Sequence, residues 1–156
     1  MAEQLGDFSS LANVKTSEVK PPPVLPIGRY QAVITGMWKE HKAKSGNKAM
    51  RFPFRLVAPG DTIDAQALEE AGGLPDREYT IDFWMSPDAR FRFTDFGKAM
   101  NLDEGDPNLL ELAERLAGCG TPFSIEVTHE PAKDAAGNDD LTRPPFMRFD
   151  NPIALD

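Results

Sequence analysis

Three stretches of this chain alternate apolar and polar residues with a period of two, and two more repeat apolar residues at helical spacing. In Arg51-Phe52-Pro53-Phe54-Arg55-Leu56-Val57 the side chains of Phe52, Phe54 and Leu56 share one face and Arg51 and Arg55 the other, which predicts a strand with its apolar side on a core. Pro53 has no N–H to give to a ladder, so an edge or a bulge is expected at that point. Tyr79-Thr80-Ile81-Asp82-Phe83-Trp84 and Phe123-Ser124-Ile125-Glu126-Val127-Thr128 alternate in the same way. By this parity Trp84 lies with Thr80 and Asp82, opposite Tyr79, Ile81 and Phe83. The run from Gly28 to Trp38 is rich in β-branched and aromatic residues and predicts a first strand, joined to the second through the turn residues Ser45-Gly46-Asn47. A last short strand is expected near Phe146 to Phe149.

The helical spacings begin after start signals. Ser86-Pro87-Asp88 offers a cap, a first-turn proline and an acid; Ala89, Phe93, Phe96 and Met100 then recur on one face, with Phe93 and Phe96 expected in the core. Asp106-Pro107 repeats the device before Leu109, Leu112, Ala113 and Leu116, and Gly118 ends that helix. A shorter helix is expected over 65–71, stopped by Gly72-Gly73. The resulting expectation is a mainly β domain with helices: five or so strands plus two or three short helices, suited to a small, partly open barrel of the oligonucleotide-binding kind. A plain antiparallel sheet packed on two helices satisfies the same pattern.

Around this body, spanning 27–149, lie an arm and a tail. Residues 1–26 are polar with scattered Leu5, Phe8, Leu11 and Val14, then run into Pro21-Pro22-Pro23-Val24-Leu25-Pro26, which predicts extended backbone. The Phe8, Leu11 and Val14 spacing suits a short helix that orders only by docking, against a disordered leader as the alternative. The tail, 150–156, mixes acidic and apolar residues.

Charge changes the picture more than composition does. The 156-residue chain has formal net charge -8, yet between Gly28 and Val57 Arg29, Lys39, Lys42, Lys44, Lys48, Arg51 and Arg55 face only Glu40. Polyanions respond to such local potential more than to net charge; the competing reading is a solvated hairpin face that only favours solubility. Past Gly60 the sign reverses, with Asp61, Asp64, Glu69, Glu70, Asp76 and Glu78, an insertion expected on the surface away from the basic hairpin.

Chemistry of other kinds finds little support. His41 and His129 have no sequence reason to meet, Cys119 has no nucleophile signature around it, and the Asp134, Asn138, Asp139 and Asp140 cluster lacks the spacing of a calcium loop. The expectation is therefore no enzyme, no metal and no cofactor. One cysteine excludes a disulfide within the chain. The first residues lack the apolar segment of a signal peptide and no apolar run reaches the roughly 20 residues that span a bilayer, so a soluble protein of the cytoplasm without membrane contact is expected.

Leu25-Pro26-Ile27-Gly28-Arg29-Tyr30-Gln31-Ala32, then Lys44-Ser45-Gly46-Asn47, then Phe52-Pro53-Phe54-Arg55-Leu56 resembles the opening of small phage-encoded proteins of replication and recombination cassettes, a single-stranded DNA-binding-like family. The helices and strand up to Val127 are similar to that family's second half, so the resemblance covers about residues 24–130. It implies sequence-nonspecific binding of single-stranded DNA, in the host cytoplasm, with a homo-oligomer and replication or recombination proteins as further partners. Such binding needs a cationic track and exposed rings on which bases stack. Lys39, Lys42, Lys44, Lys48, Arg51 and Arg55 offer the track, and Trp38 and Trp84 the rings. Trp38 precedes the lysine-rich tip and is favoured as a ligand contact, whereas Trp84 is either solvent-facing or covered by a helix. The rival expectation is a phage virion structural or assembly protein, whose arm reaches a neighbouring subunit.

Overall fold

The computed structural model describes residues 9–16 and 24–155. Among them are six antiparallel strands in one open sheet, three α-helices and a short 3-10 helix: β1 (Gly28–Ile34), β2 (Lys39–Lys42), β3 (Lys48–Pro59), α1 (Ala65–Glu70), β4 (Glu78–Trp84), α2 (Phe91–Ala99), α3 (Leu109–Gly118), β5 (Phe123–Glu130) and β6 (Phe146–Ala154). The mainly β expectation holds at this level; the sheet does not close, because no ladder joins β4 to β6.

The single first strand expected over 28–38 is broken. Both β1 and β2 pair with the same edge of β3, β1 with its C-terminal half and β2 with its N-terminal half, while β4 takes the other edge. Between Ile34↔Phe54 and Lys39↔Arg51, four residues of one strand oppose two of the other. Pro53 sits at this break. Its carbonyl accepts from the Thr35 N–H at 3.0 Å, so its donor-less nitrogen falls where the neighbouring ladder is already interrupted, and a proline is tolerated in a central strand. β5 pairs with the free side of β1 and β6 with β5. A bulge near Asn151 lets β6 run on to Ala154, through most of the stretch that reads as a tail.

The core lies on one face of the sheet. Tyr30, Phe52, Phe54, Phe93, Phe123, Leu25 and Ile125 are fully buried, and each such side chain contributes about 1.5–3 kcal/mol by leaving water. Phe93 stacks on Phe52 and Phe96 on Phe83, so α2 is fastened to β3 and β4 by aromatic contact. α3 lies behind it, with Leu112 against Gly97.

Both helix starts differ from expectation. Residues 86–90 form a turn in which the Ser86 carbonyl accepts from the Ala89 and Arg90 N–H groups, and α2 begins only at Phe91. At α3 the cap is Asn108, not Asp106: its side chain accepts from the Glu111 N–H and donates to the Glu111 carboxylate, and Asp106 instead takes a left-handed backbone angle of 52°. In the arm, Ser9–Asn13 forms the 3-10 helix, with Leu11 56% and Val14 46% exposed. Leu5, Phe8 and the prolines at 21–23 lie outside the described residues. No helix among the described residues is long and apolar enough to cross a membrane.

Candidate nucleic-acid interface

Strand register sorts the basic residues of the hairpin into two groups. On the outer face, opposite the core, β2, β3 and β4 lay down parallel rows. His41, Ala49 and Trp84 make one; Lys39, Arg51 and Asp82 the next; then come Pro53 with Thr80, and Arg55 with Glu78. Small Ala49 leaves room for the flanking rings to meet above it, and His41 stands edge-on to the Trp84 indole with centroids 5.8 Å apart. Lys42 and Lys48 belong to the opposite parity, shared with Met50 and the core, at the end of the hairpin beyond it. Lys44 is exposed in the turn between the two faces.

Ion pairs remove part of the expected positive charge. Arg51 donates to both carboxylate oxygens of Asp82, from Nε at 2.7 Å and from a terminal nitrogen at 2.9 Å. These bonds hold the Arg51 guanidinium in its charged form, raising its pKa above the ordinary value. Arg55 donates to Asp76 at 2.6 Å. The acidic insertion is thus not held away from the basic hairpin; its last turn lies against it. Glu40 sits 3.6 Å from Lys48, whose Cα faces that of Lys42. Arg29 is a strut, donating to Ser124 and to the Asn151 carbonyl at 2.8 Å. Among the described residues Lys39, Lys42 and Lys44 enter no ion pair, so the unspent charge gathers at the turn end.

The two tryptophans part company. Trp38 is half-buried and packs on the core, in the segment between β1 and β2. Trp84 is half-buried at the end of β4, on the same face as Lys39 and Arg51.

Two groups that the sequence reading left aside lie beside this face. One is His41, edge-on to the Trp84 indole. Phe91 opens α2, is 53% exposed and carries the Arg92 guanidinium 5.9 Å from its ring centroid. Its signal was legible: two residues from buried Phe93 is about 200° round a helix, so an aromatic there, between Arg90 and Arg92, must face outward. Trp84 and Phe91 line one groove of about 960 Å³ that follows the unpaired edge of β4 and is walled opposite by Phe149 to Ile153 of β6.

No group of three or more metal-ligating side chains occurs among the described residues. The chain matches no family model and no curated protein.

Proposed function

We propose that this protein binds single-stranded DNA without sequence preference, in the replication or recombination of a phage genome. The observation that carries the reading is the shared outer face of β2, β3 and β4, where the Trp84 indole adjoins Lys39 and Arg51, with Lys44 at the tip. An indole supplies a stacking surface every base can use, and the cations supply phosphate contacts. The strand connections support it further. With β1 and β2 counted as one interrupted strand, the first strand pairs with the second and fourth, the second with the third, and the fourth with the fifth, with helices between the third and fourth. This pairing order supports a reading as an oligonucleotide-binding barrel left open at one seam, a fold that uses its second and third strands for ligand. Arg55 drops out of the track, because Asp76 and Glu78 make its end of the face acidic.

The test is a fluorescence titration of labelled oligo-dT and of matched duplex at several salt concentrations. Preference for the single strand is expected, with a log–log salt slope of about -0.7 for each phosphate neutralised, hence roughly -1.4 to -2 for Lys39, Lys44 and a partly engaged Arg51. Lys39→Glu with Lys44→Glu should flatten the slope, and Trp84→Ala should weaken binding at every salt concentration. Equal affinity for duplex and single strand, or no response to these variants, removes the reading.

One observation favours a second reading, that of an assembly protein. Leu11, in the 3-10 helix of the arm, and Val14 just after it are apolar and exposed, a surface suited to a neighbouring subunit.

A further inference from the structure

The outer face ends at Trp84, and the chain turns there through six residues into α2. Phe91 opens that helix and lines the same groove as Trp84. α2 fastens itself to the sheet with Phe93 and Phe96, so Phe91 contributes nothing to the core, yet it places a large ring in water. Beyond it the groove floor is apolar, with Ile81 and Phe149, while Arg92 and Arg148 stand with Asp95 and Asp150 along its walls. Asp82 is engaged by Arg51 and Arg148 lies 3.6 Å from Glu130, which leaves Arg92 against Asp95 and Asp150 and makes those walls weakly acidic. A weakly acidic, partly apolar slot with a ring at its mouth suits bases better than phosphates.

We propose that Phe91 is a second base-stacking residue, and that single-stranded DNA leaves the outer face across Trp84 to lay bases into the groove between β4 and β6. This rests on the reading of the outer face as the phosphate track and extends it. Trp84 is the shared ring, since with Thr80 and Asp82 it belongs both to the outer face and to the groove. The division of labour has a signature. Residues of the track set the salt slope, whereas Phe91 adds affinity without changing it, because no net charge accompanies it.

The experiment measures fluorescence polarisation of labelled oligo-dT from about 4 to about 16 nucleotides, the span of site sizes for such domains. Trp84→Ala is expected to weaken all lengths. Phe91→Ala is expected to weaken only the longer ones, by about 5- to 150-fold, which is the worth of one stacked base, with an unchanged salt slope; Phe91→Trp should restore it. Oligonucleotides carrying a photoreactive iodouracil should crosslink to the peptide containing Phe91 in the wild-type protein, a readout that requires no variant. If Trp84→Ala weakens binding while Phe91→Ala matters at no length and no crosslink forms, the groove proposal is overturned and the outer-face reading stands. If the wild-type protein binds no oligonucleotide, both fall. Loss with Phe91→Ala but not with Trp84→Ala would confine the strand to the groove and overturn the path proposed here.

Discussion

Asp82→Asn should make the protein bind single-stranded DNA more tightly. Asp82 receives two hydrogen bonds from Arg51, at 2.7 and 2.9 Å, and so spends on a carboxylate a guanidinium that points out of the proposed face. Asparagine keeps the shape and one acceptor oxygen, which leaves Arg51 in place but unneutralised. One further phosphate contact steepens the salt slope by about 0.7. At about 0.1 M salt, relative to a 1 M reference, that is roughly five-fold in affinity by the same relation. The cost to the fold is small: the side chains of Arg51 and Asp82 are 38% and 23% exposed, and pairs near the surface contribute about 0–1 kcal/mol, well inside the 5–15 kcal/mol by which domains are usually stable. The assay is polarisation of labelled oligo-dT across a salt series for the wild type, Asp82→Asn and Asp76→Asn. The last makes the same change of net charge beside Arg55, at the acidic end of the face, and should leave the slope where it is. An Asp82→Asn protein with unaltered slope and affinity would show that Arg51 lies off the phosphate path. Equal gains in both variants would show that only net charge matters.

Alkaline unfolding and a glycine give two tests of the fold itself. Tyr30 is fully buried, its hydroxyl donates to the Pro26 carbonyl at 2.7 Å, and burial pushes its pKa from 10.0 up to about 12. The phenol is protonated in both states at neutral pH, and above about pH 10 the unfolded chain gives up its proton first; stability therefore falls between about pH 10 and 12, by on the order of 3 kcal/mol from this group. Urea unfolding across that range should show the loss in the wild type and less of it in Tyr30→Phe, and parallel curves would refute the assignment. A Cβ at Gly60 would stand 2.4 Å from the Arg29 carbonyl oxygen, a backbone atom that also accepts from the Gly60 N–H at 2.9 Å. Gly60→Ala should cost about 1–3 kcal/mol, and an unchanged thermal midpoint would contradict that close approach.

Much of the fold was legible because it rests on local patterns. The alternation of Phe52, Phe54 and Leu56 and of Tyr79, Ile81 and Phe83 assigns faces correctly, as does the helical spacing of Phe93 and Phe96. The break after Ile34 was not visible as such: Pro53 announced an irregularity, but whether its own strand or the neighbour yields depends on the register between them. Helix starts failed for a related reason. Proline and acid before a helix are compatible with a turn, and backbone hydrogen bonds decide which residue caps. Counting charges overstated the site. Seven basic side chains stand near one another in sequence, but Asp76 and Asp82 come from another part of the chain, and no single-segment reading pairs them with Arg55 and Arg51. The register also divides the lysines between two faces, which the parity of β2, a strand the sequence did not reveal, determines.

The unclosed seam ties the fold to the proposed function. Unpaired strand edges invite pairing with other chains, and proteins normally blunt them. Here β6 carries Arg148, Asp150, a bulge at Asn151 and Pro152 along its length, while α2 lies against β4. Both edges are thus protected without being joined, and protection of this kind leaves a slot where closure would leave none. A ladder between β4 and β6 would draw Phe149 and its neighbours against Ile81 and Phe83 and occlude the floor onto which Phe91 faces. The aromatic contacts that substitute for the missing ladder, Tyr79 on Phe149 at 4.5 Å and Phe54 on Phe149 at 5.2 Å, pin the two edges together at the Tyr79 end of β4. The opening therefore lies on the Trp84 side of these contacts, at the end where the unspent lysines gather.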